Sequence, residues 1–380
     1  MRVLLVNAHG ADQAYGGAER YVRKLAIELG ACGHEVEVLS AFPPRDESGP
    51  ETHVLHGSDW RDDRWRRFRN HVGNVVAAPW PRLGAALDRA RPDLVHTNNL
   101  PGIASGIWES ARRRGIPVAH TLHDYQLLCP RTSLTKRDGR PCRPSPFLCG
   151  VRTRRLLRWA GGVDTVIGVS AYILGRHQGL LAAGRECVIR PALTPLGDRP
   201  LAPPSTPLST IGYLGALTEV KGIRLLLAAG PTLAEQGVLL RIAGDGPLRR
   251  EVEEADGVRY EGRIDRADLA AFVAGCDAGI VPSLWDEPGP LVIGEWLASG
   301  RPVLATRRGG LAEAARGGGM ISFDESTPAL LDAVGRLRGE AEWRRILATV
   351  PTVEDDSDVQ RWVDEHEAAY AMACGVPTLA

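Results

Sequence analysis

Glu287-Pro288-Gly289-Pro290-Leu291-Val292-Ile293-Gly294-Glu295, followed by Ala298-Ser299-Gly300-Arg301-Pro302-Val303, is the stretch from which the rest of the chain can be read. It begins with an acidic residue in a turn, passes Gly and Pro, and enters a helix carrying a second carboxylate eight residues on. Pro290 suits the first helical position, because its missing N–H would have no intrahelical partner there. The N–H groups of Leu291 and Val292 then point out of the helix start, where a phosphate is favoured. The short apolar run Ala278–Pro282 precedes the stretch and Pro302–Ala305 continues it, so the order is strand, loop, helix, strand. Glu287 in the turn and Glu295 along the helix can reach two ends of one phosphate-bearing ligand. A sugar nucleotide has that form, with hydroxyls at both ends and a diphosphate between. Taken alone, the spacing is also that of a turn residue and a solvated helix position; the remaining chain must decide.

The same order recurs in both directions. Upstream, Thr210–Leu214, Val238–Ala243 and Val258–Tyr260 read as strands, and Met320–Ser322 follows downstream. In the first half the strand candidates are Arg2–Val6, Glu35–Leu39, Asp93–His96, Val118–Leu122, Asp164–Val169 and Cys187–Ile189. A helix from about Gly17 to Leu29 has Tyr21, Val22, Leu25, Ala26 and Leu29 on one face at helical spacing. Alternating strands and helices predict an α/β protein with parallel sheets covered by helices. Between the halves, Pro191 to Thr210 is too rich in proline for sheet or helix and reads as a linker. The expected division is residues 1–195, 196–355 and a tail helix over 356–380.

Composition bounds the function. At 380 residues the chain is too long for one ordinary core. Lys+Arg 46 against Asp+Glu 46 leaves no net charge and gives no electrostatic support to a nucleic-acid partner. No apolar run approaches membrane-spanning length, and Met1 to Asn7 reads as a first strand rather than a signal peptide. Seven scattered cysteines fit a reducing cytoplasm better than a disulfide scaffold.

Ligands of such sheets bind beyond the carboxyl ends of the strands, so the loops there are where chemistry is sought. Gly16-Gly17 stands before the first long helix, where close backbone approach favours an anion, although a tight turn explains it equally well. It is not G-x-G-x-x-G, which lowers the odds of a nicotinamide cofactor. His123-Asp124, after a strand, can act as acid, base or hydroxyl-orienting group, or be a structural His capped by its neighbour. Ser170 reads as an N-cap. Gly215 to Gly222 places Lys221 at a helix start, where the macrodipole disfavours a cation unless an anion binds there too. Gly244-Asp245-Gly246-Pro247 is a tight turn that also lets a ligand lie against the backbone.

Together these loops resemble the retaining glycosyltransferases of family 4, in the glycogen synthase/mannosyltransferase-like superfamily. The resemblance rests on Gly16-Gly17-Ala18-Glu19, on His123-Asp124-Tyr125 through Cys129-Pro130, and on Val169-Ser170. In the second half it rests on Tyr213 to Gly222, Gly244 to Pro247 and Glu287 to Glu295. It implies the GT-B fold: two Rossmann-like, doubly wound parallel-sheet domains facing a central cleft, with the last helix packing back on the first domain. It also implies a catalytic set of Glu287, Lys221 and His123. Lys221 would hold the donor diphosphate, Glu287 the donor-sugar hydroxyls and Glu295 the ribose. Leu291 and Val292 would take the phosphates with Gly289, Pro290, Gly215 and Gly244 close by, and Gly262-Arg263-Ile264 would lie against the base. Gly17 would approach the diphosphate from the other domain, with His123 near the reacting sugar or acceptor.

The implied reaction is front-face transfer with retention, the departing phosphate helping to deprotonate the acceptor. A lysine and a helix N-terminus can stabilise the nucleoside diphosphate without a metal. The one Asp-x-Asp, Asp356-Ser357-Asp358, reads as the N-cap of the tail helix rather than a metal site. No resident cofactor is expected; the co-substrate is a UDP-, GDP- or dTDP-linked sugar. Three positions depart from the family pattern. Ala216 stands where Arg is frequent, Pro290 where many members have Gly, and Trp296 where a small residue is usual, the last bearing on helix packing more than on chemistry.

Other features stay open. Cys129, Cys142 and Cys149 share a loop rich in Arg and Pro but lack a C-x-x-C pair, so a structural or acceptor-side loop is preferred to a metal site. Trp60 to Arg69 and Arg152 to Trp159 combine cations with aromatics, a composition suited to solvated surface, a polar acceptor pocket or an anionic membrane. The expected acceptor is a small molecule or a lipid-linked glycan, in natural-product or cell-envelope glycan synthesis. The expected location is the cytoplasm, at the inner membrane face for a lipid-linked acceptor. The rivals are a sugar-nucleotide epimerase on the same fold and a non-catalytic nucleotide-sugar-binding subunit, the latter motivated by Ala216.

Overall fold

The computed structural model describes residues 1–11, 16–43, 50–55, 81–136, 140–142, 147–181, 184–193, 201–289, 291–351 and 357–376. Two compact units divide the chain: Met1–Ser133 with Arg143–Pro191 and Gln360–Ala380, and Leu134–Cys142 with Ala192–Val359.

Among the described residues of the first unit, strands β1 (Arg2–Asn7), β2 (Glu35–Ser40), β3 (Thr52–Val54), β4 (Leu94–Thr97), β5 (Val118–Leu122), β6 (Thr165–Gly168) and β7 (Arg185–Val188) form one sheet. Its order is β3-β2-β1-β4-β5-β6-β7, with every pairing parallel. The helices are α1 (Gly17–Ala31), α2 (Pro81–Ala90), α3 (Gly106–Arg112), α4 (Leu148–Leu157) and α5 (Ala171–His177). The apolar face expected for α1 is its buried face. Ser170 caps α5, its Oγ accepting the Ile173 N–H at 3.2 Å. Strand β3 escapes the sequence reading because it is three residues long at a sheet edge.

The second sheet, counted over the described residues, contains β8 (Thr210–Leu214), β9 (Leu239–Ala243), β10 (Val258–Gly262), β11 (Ala278–Val281), β12 (Val303–Thr306) and β13 (Met320–Phe323). It runs β10-β9-β8-β11-β12-β13, again all parallel. Around it lie α6 (Ile223–Glu235), α7 (Arg249–Glu253), α8 (Arg266–Ala274), α9 (Leu291–Ala298), α10 (Gly310–Ala314), α11 (Thr327–Leu337) and α12 (Glu340–Leu347). The last described helix is α13 (Ser357–Ala373). Both sheets are those of doubly wound, Rossmann-like α/β domains.

The proline-rich connection is pinned before it reaches β8. The Asp277 carboxylate accepts N–H bonds from Ser205, Ser209 and Thr210 at 2.6, 2.9 and 2.9 Å, and the Ser209 hydroxyl at 2.8 Å. Burial alone would push this carboxyl up, but four donors on it hold it below the usual carboxylate range. The segment over 194–200 lies outside the described residues.

Helix α13 joins the first unit through buried polar bonds. Tyr21 Oη donates to His366 Nε2 at 2.6 Å, and His366 Nδ1–H donates to the Trp362 carbonyl at 2.6 Å. His96 bridges Tyr370 Oη at 2.8 Å and Thr121 Oγ1 at 2.7 Å. The N-cap expected of Asp356-Ser357-Asp358 falls at the start of α13, whose first described residue is Ser357. Asp358 lies inside the first turn of α13, its carboxylate accepting the Leu193 N–H at 2.5 Å, and Asp356 is outside the described residues.

Trp296 is fully buried on α9 and packs edge-on to Phe272. Its space is made by two strand glycines. A Cβ on Gly279 would stand 2.5 Å from the indole, and one on Gly212 2.7 Å from it. A large residue on the helix is therefore matched by missing side chains on the sheet beneath.

Candidate active site

In the second sheet the strand order reverses between β8 and β11. Ligands of open α/β sheets bind at such a reversal, beyond the carboxyl ends of the strands. The loop leaving β8 carries Lys221 and the loop leaving β11 carries Glu287. Lys221 Nζ donates to Glu287 Oε1 at 2.7 Å. The same oxygen accepts from Ser283 Oγ at 2.5 Å and from Trp285 Nε1 at 2.8 Å. Glu287 is 3% exposed, so its charge is held by three donors rather than by water. Among the described residues none donates to Oε2. The Lys221 ammonium also lies 5.1 Å from the Trp285 ring centroid, a cation–π distance.

Backbone contacts lock the two loops together. Gly222 has φ +76°, and a Cβ there would stand 1.9 Å from the Pro282 carbonyl oxygen. Gly244, at φ +147°, would bring a Cβ within 1.8 Å of the Gly215 oxygen. The Gly310 N–H, at the start of α10 beyond β12, donates to the Glu287 carbonyl at 2.6 Å. A side chain at any of these contacts would force apart the strands' carboxyl ends.

The sequence placed Lys221 against a helix dipole and supplied an anion to relieve it. In the structure Lys221 ends a single 3₁₀ turn, Glu219–Lys221, with left-handed Gly222 between it and α6. Glu287 supplies the compensating charge from within the protein.

The other expected donor-side residues are distributed around these loops. Gly215 is exposed, and its N–H is spent on the Ala243 carbonyl at 3.1 Å. Gly244 gives its N–H to the Gly262 carbonyl at 2.8 Å, so both glycines offer close approach rather than free donors. Arg263 is exposed beyond β10, and half-buried Ile264 packs on the same apolar cluster as Val292. Gly289 and Leu291 border the start of α9, and Glu295 lies half-buried one turn along it. Pro290 lies outside the described residues. Ala216 lends its carbonyl to Tyr213 Oη at 2.9 Å.

In the first unit, exposed Gly17 opens α1 behind Gly16. The Gly16 N–H is taken by Glu19 Oε2 at 3.1 Å, and Glu19 Oε1 accepts from Asn7 Nδ2 at 3.4 Å. A carboxylate of the protein thus caps the helix start where the sequence reading placed an external anion. His123, beyond β5, makes a 2.8 Å bond from Nε2 to Asn98 Oδ1 and packs edge-on to Tyr21 at 4.7 Å between centroids. Burial pushes the imidazole down to about 3, with His366 adding to the shift, so it is neutral at physiological pH. Asp124 accepts the Gln126 N–H at 2.7 Å. Burial raises its carboxyl to about 7, the nearby Glu19 charge acting in the same sense.

Sequence reasoning missed Ser283, Trp285, Asn98 and Tyr21. An indole N–H two residues from a turn carboxylate was the one available signal, for Trp285. Cys129 is buried, and Cys142 and Cys149 are half-buried. Among the described residues no three His, Cys, Asp or Glu side chains gather as a metal site. In the basic segment Arg152 turns to the Gln126 carbonyl at 2.7 Å, whereas Arg154, Arg155 and Arg158 are exposed. Trp60 to Arg69 lies outside the described residues. No described helix is long and apolar enough to cross a membrane.

Residues 15–190 match the family described as Glycosyltransferase Family 4, and residues 209–339 match Glycosyl transferases group 1. A glycogen synthase of Mycobacterium tuberculosis is 27% identical over 83% of this chain and 80% of its own length. A sucrose-phosphate synthase from Thermosynechococcus elongatus shares the fold with TM-score 0.66 at 21% identity, over 98% of this chain and 96% of that one. Anabaena HepE, solved with UDP and glucose, does so with TM-score 0.65 at 16% identity, over 97% and 99%. The chain belongs to family 4 of the glycosyltransferases and has their GT-B fold.

Proposed function

We propose that this glycosyltransferase moves a hexose-type unit, with retention and without a metal, from a nucleotide-linked donor to an acceptor hydroxyl. The observation that carries the reading is the Lys221–Glu287 pair, contributed by the two loops that flank the reversal of strand order. A buried carboxylate with one oxygen fully engaged and the other left over suits a sugar hydroxyl. A lysine beside it suits the diphosphate, whose charge grows as the sugar leaves. On binding, Lys221 would exchange part of its interaction with Glu287 for the diphosphate, while Ser283 and Trp285 keep the carboxylate in place.

In this reading Leu291 and Val292 give N–H bonds to the phosphates, Glu295 meets the ribose, and Arg263 with Ile264 borders the base. Gly215, Gly244 and Gly289 leave room for the nucleotide, and Gly17 and His123 serve the diphosphate and the acceptor from the first unit. The bound UDP of Anabaena HepE and the glycogen synthase relative support a nucleotide-sugar donor. UDP-, GDP- and dTDP-sugars are the donors to test, and a small molecule or lipid-linked glycan is the acceptor class.

The test incubates the protein with that donor panel in the presence of EDTA, measuring nucleoside diphosphate release and thermal shift. Release with one donor, lost in Glu287→Gln and Lys221→Ala, supports the reading. Stabilisation by a donor without release would favour the non-catalytic binding subunit that Ala216 suggests, and neither release nor stabilisation with any donor would overturn the reading of a nucleotide-sugar site. Release that needs a divalent ion would overturn metal independence alone.

A further inference from the structure

Asn98 leaves β4 fully buried, and its amide orientation is fixed by what surrounds it. Its Nδ2 faces two backbone carbonyls, Val6 at 3.4 Å and His96 at 3.5 Å. A flipped amide would set its oxygen against both, oxygen against oxygen, with no donor to relieve them. Oδ1 therefore points at His123 Nε2, 2.8 Å away, and an amide oxygen can only accept. The proton of a neutral His123 must then sit on Nε2. Nδ1 takes no hydrogen bond from any described residue. Tyr21 holds the ring from the side, its own hydroxyl fixed by His366 at 2.6 Å.

We infer that Asn98 is a positioning residue which locks His123 in the Nε2–H form, so that Nδ1 offers a lone pair to a substrate hydroxyl. This rests on the transferase reading above and extends it. Without Asn98 either nitrogen can carry the proton, and the form with Nδ1–H would present a donor where a hydroxyl hydrogen should be accepted. The titratable groups that face the ring are Tyr21 on α1, His96 on β4, His120 on β5 and His366 on α13. None of them makes a hydrogen bond to His123.

The deciding measurement is a nitrogen-15 spectrum of histidine-labelled full-length protein, with His123 assigned by its loss in His123→Gln. A proton on Nε2 and a bare Nδ1 across about pH 6 to 8 is expected; a proton on Nδ1 overturns the inference. Replacing Asn98 by Asp puts a charge beside Nε2–H and favours the imidazolium. The acid limb of kcat/KM should then move up by about one pH unit or more, and the His123 titration should move with it. A folded Asn98→Asp protein whose His123 titration is unmoved would equally overturn the inference. If the wild type turns over no donor, the transferase reading fails, whereas the tautomer spectrum still tests the role of Asn98.

Discussion

A Cβ placed on Gly279 would come within 2.5 Å of the Trp296 indole, so strand β11 and helix α9 approach only because one lacks a side chain where the other has its largest. Gly279→Ala should destabilise the protein by about 1–3 kcal/mol, the usual range for overpacking. Coupling to Trp296→Leu tests the cause. If the indole is the obstacle, the double variant loses less than the sum of the singles in urea unfolding.

Trp285→Phe keeps an aromatic face near Lys221 and deletes the indole N–H that Glu287 accepts. A lost hydrogen bond to a charged acceptor is worth about 1.5–3 kcal/mol, some of it restored by water at this half-buried position. Transfer should fall by about tenfold, mostly in kcat, while the fold persists by circular dichroism. Equal loss of kcat and of thermal stability would show that Trp285 acts on folding rather than on Glu287.

Glu287→Gln retains an oxygen for the Ser283 and Trp285 donors and removes only the charge facing Lys221. Removing a group that stabilises transition-state charge or geometry typically costs about a hundredfold to a thousandfold in kcat. The expected loss is of that size, with donor binding by calorimetry affected far less. Unchanged turnover would remove Glu287 from the catalytic set.

Acidification should unfold this protein steeply. His120 and His123 are pushed down to about 3 and His366 to about 4, in each case first by burial. Their unfolded values are near 6.5. The folded state resists protonation that the unfolded chain accepts, so this stability is fully present above about pH 6.5. It drains away as pH falls towards the folded values, by about 1.4 kcal/mol per pH unit for each histidine. Asp124 works in the opposite direction, since its carboxyl is raised to about 7, and its contribution is lost as pH rises from about 4 to 7. Three histidines against one aspartate leave a net loss towards acid. Urea midpoints measured from pH 7 to pH 4.5 should fall, and His366→Gln should flatten the slope.

Tyr21→Phe removes the hydroxyl that donates to His366 Nε2 and leaves that buried nitrogen without a donor among the described residues. A cost of about 1–3 kcal/mol is expected. Amide hydrogen exchange should rise first in α13, because the lost bond is one of those joining that helix to α1.

Much of the fold was legible because both sheets are parallel and their strands read as short apolar runs between helices of clear period. Val118–Leu122 and Thr210–Leu214 coincide with the strands that form. Strand β3 was not legible, since its three residues carry no usable period. The site was half legible: Lys221 and Glu287 stood out as a cation and an acid in loops rich in glycine. Their mutual bond did not, because it spans sixty-six residues and depends on which strands become neighbours. Asn98 was invisible for the same reason. Only the carbonyls of β1 and β4 turn an ordinary asparagine into the partner that sets the proton on His123.

Because α13 finishes the first unit, the order in which the ribosome delivers the chain matters. Most of the second unit, Ala192–Val359, is contiguous and can fold as it emerges. The first unit is begun earlier, but Tyr21 and His96 wait for His366 and Tyr370, which are translated 345 and 274 residues later. A nascent chain that stalls or is cut before α13 therefore has a second unit ready to fold and a first unit whose buried hydroxyl and imidazole groups still wait for their partners. Delivery of α13, rather than of the strands that begin the first unit, is the step that completes that unit.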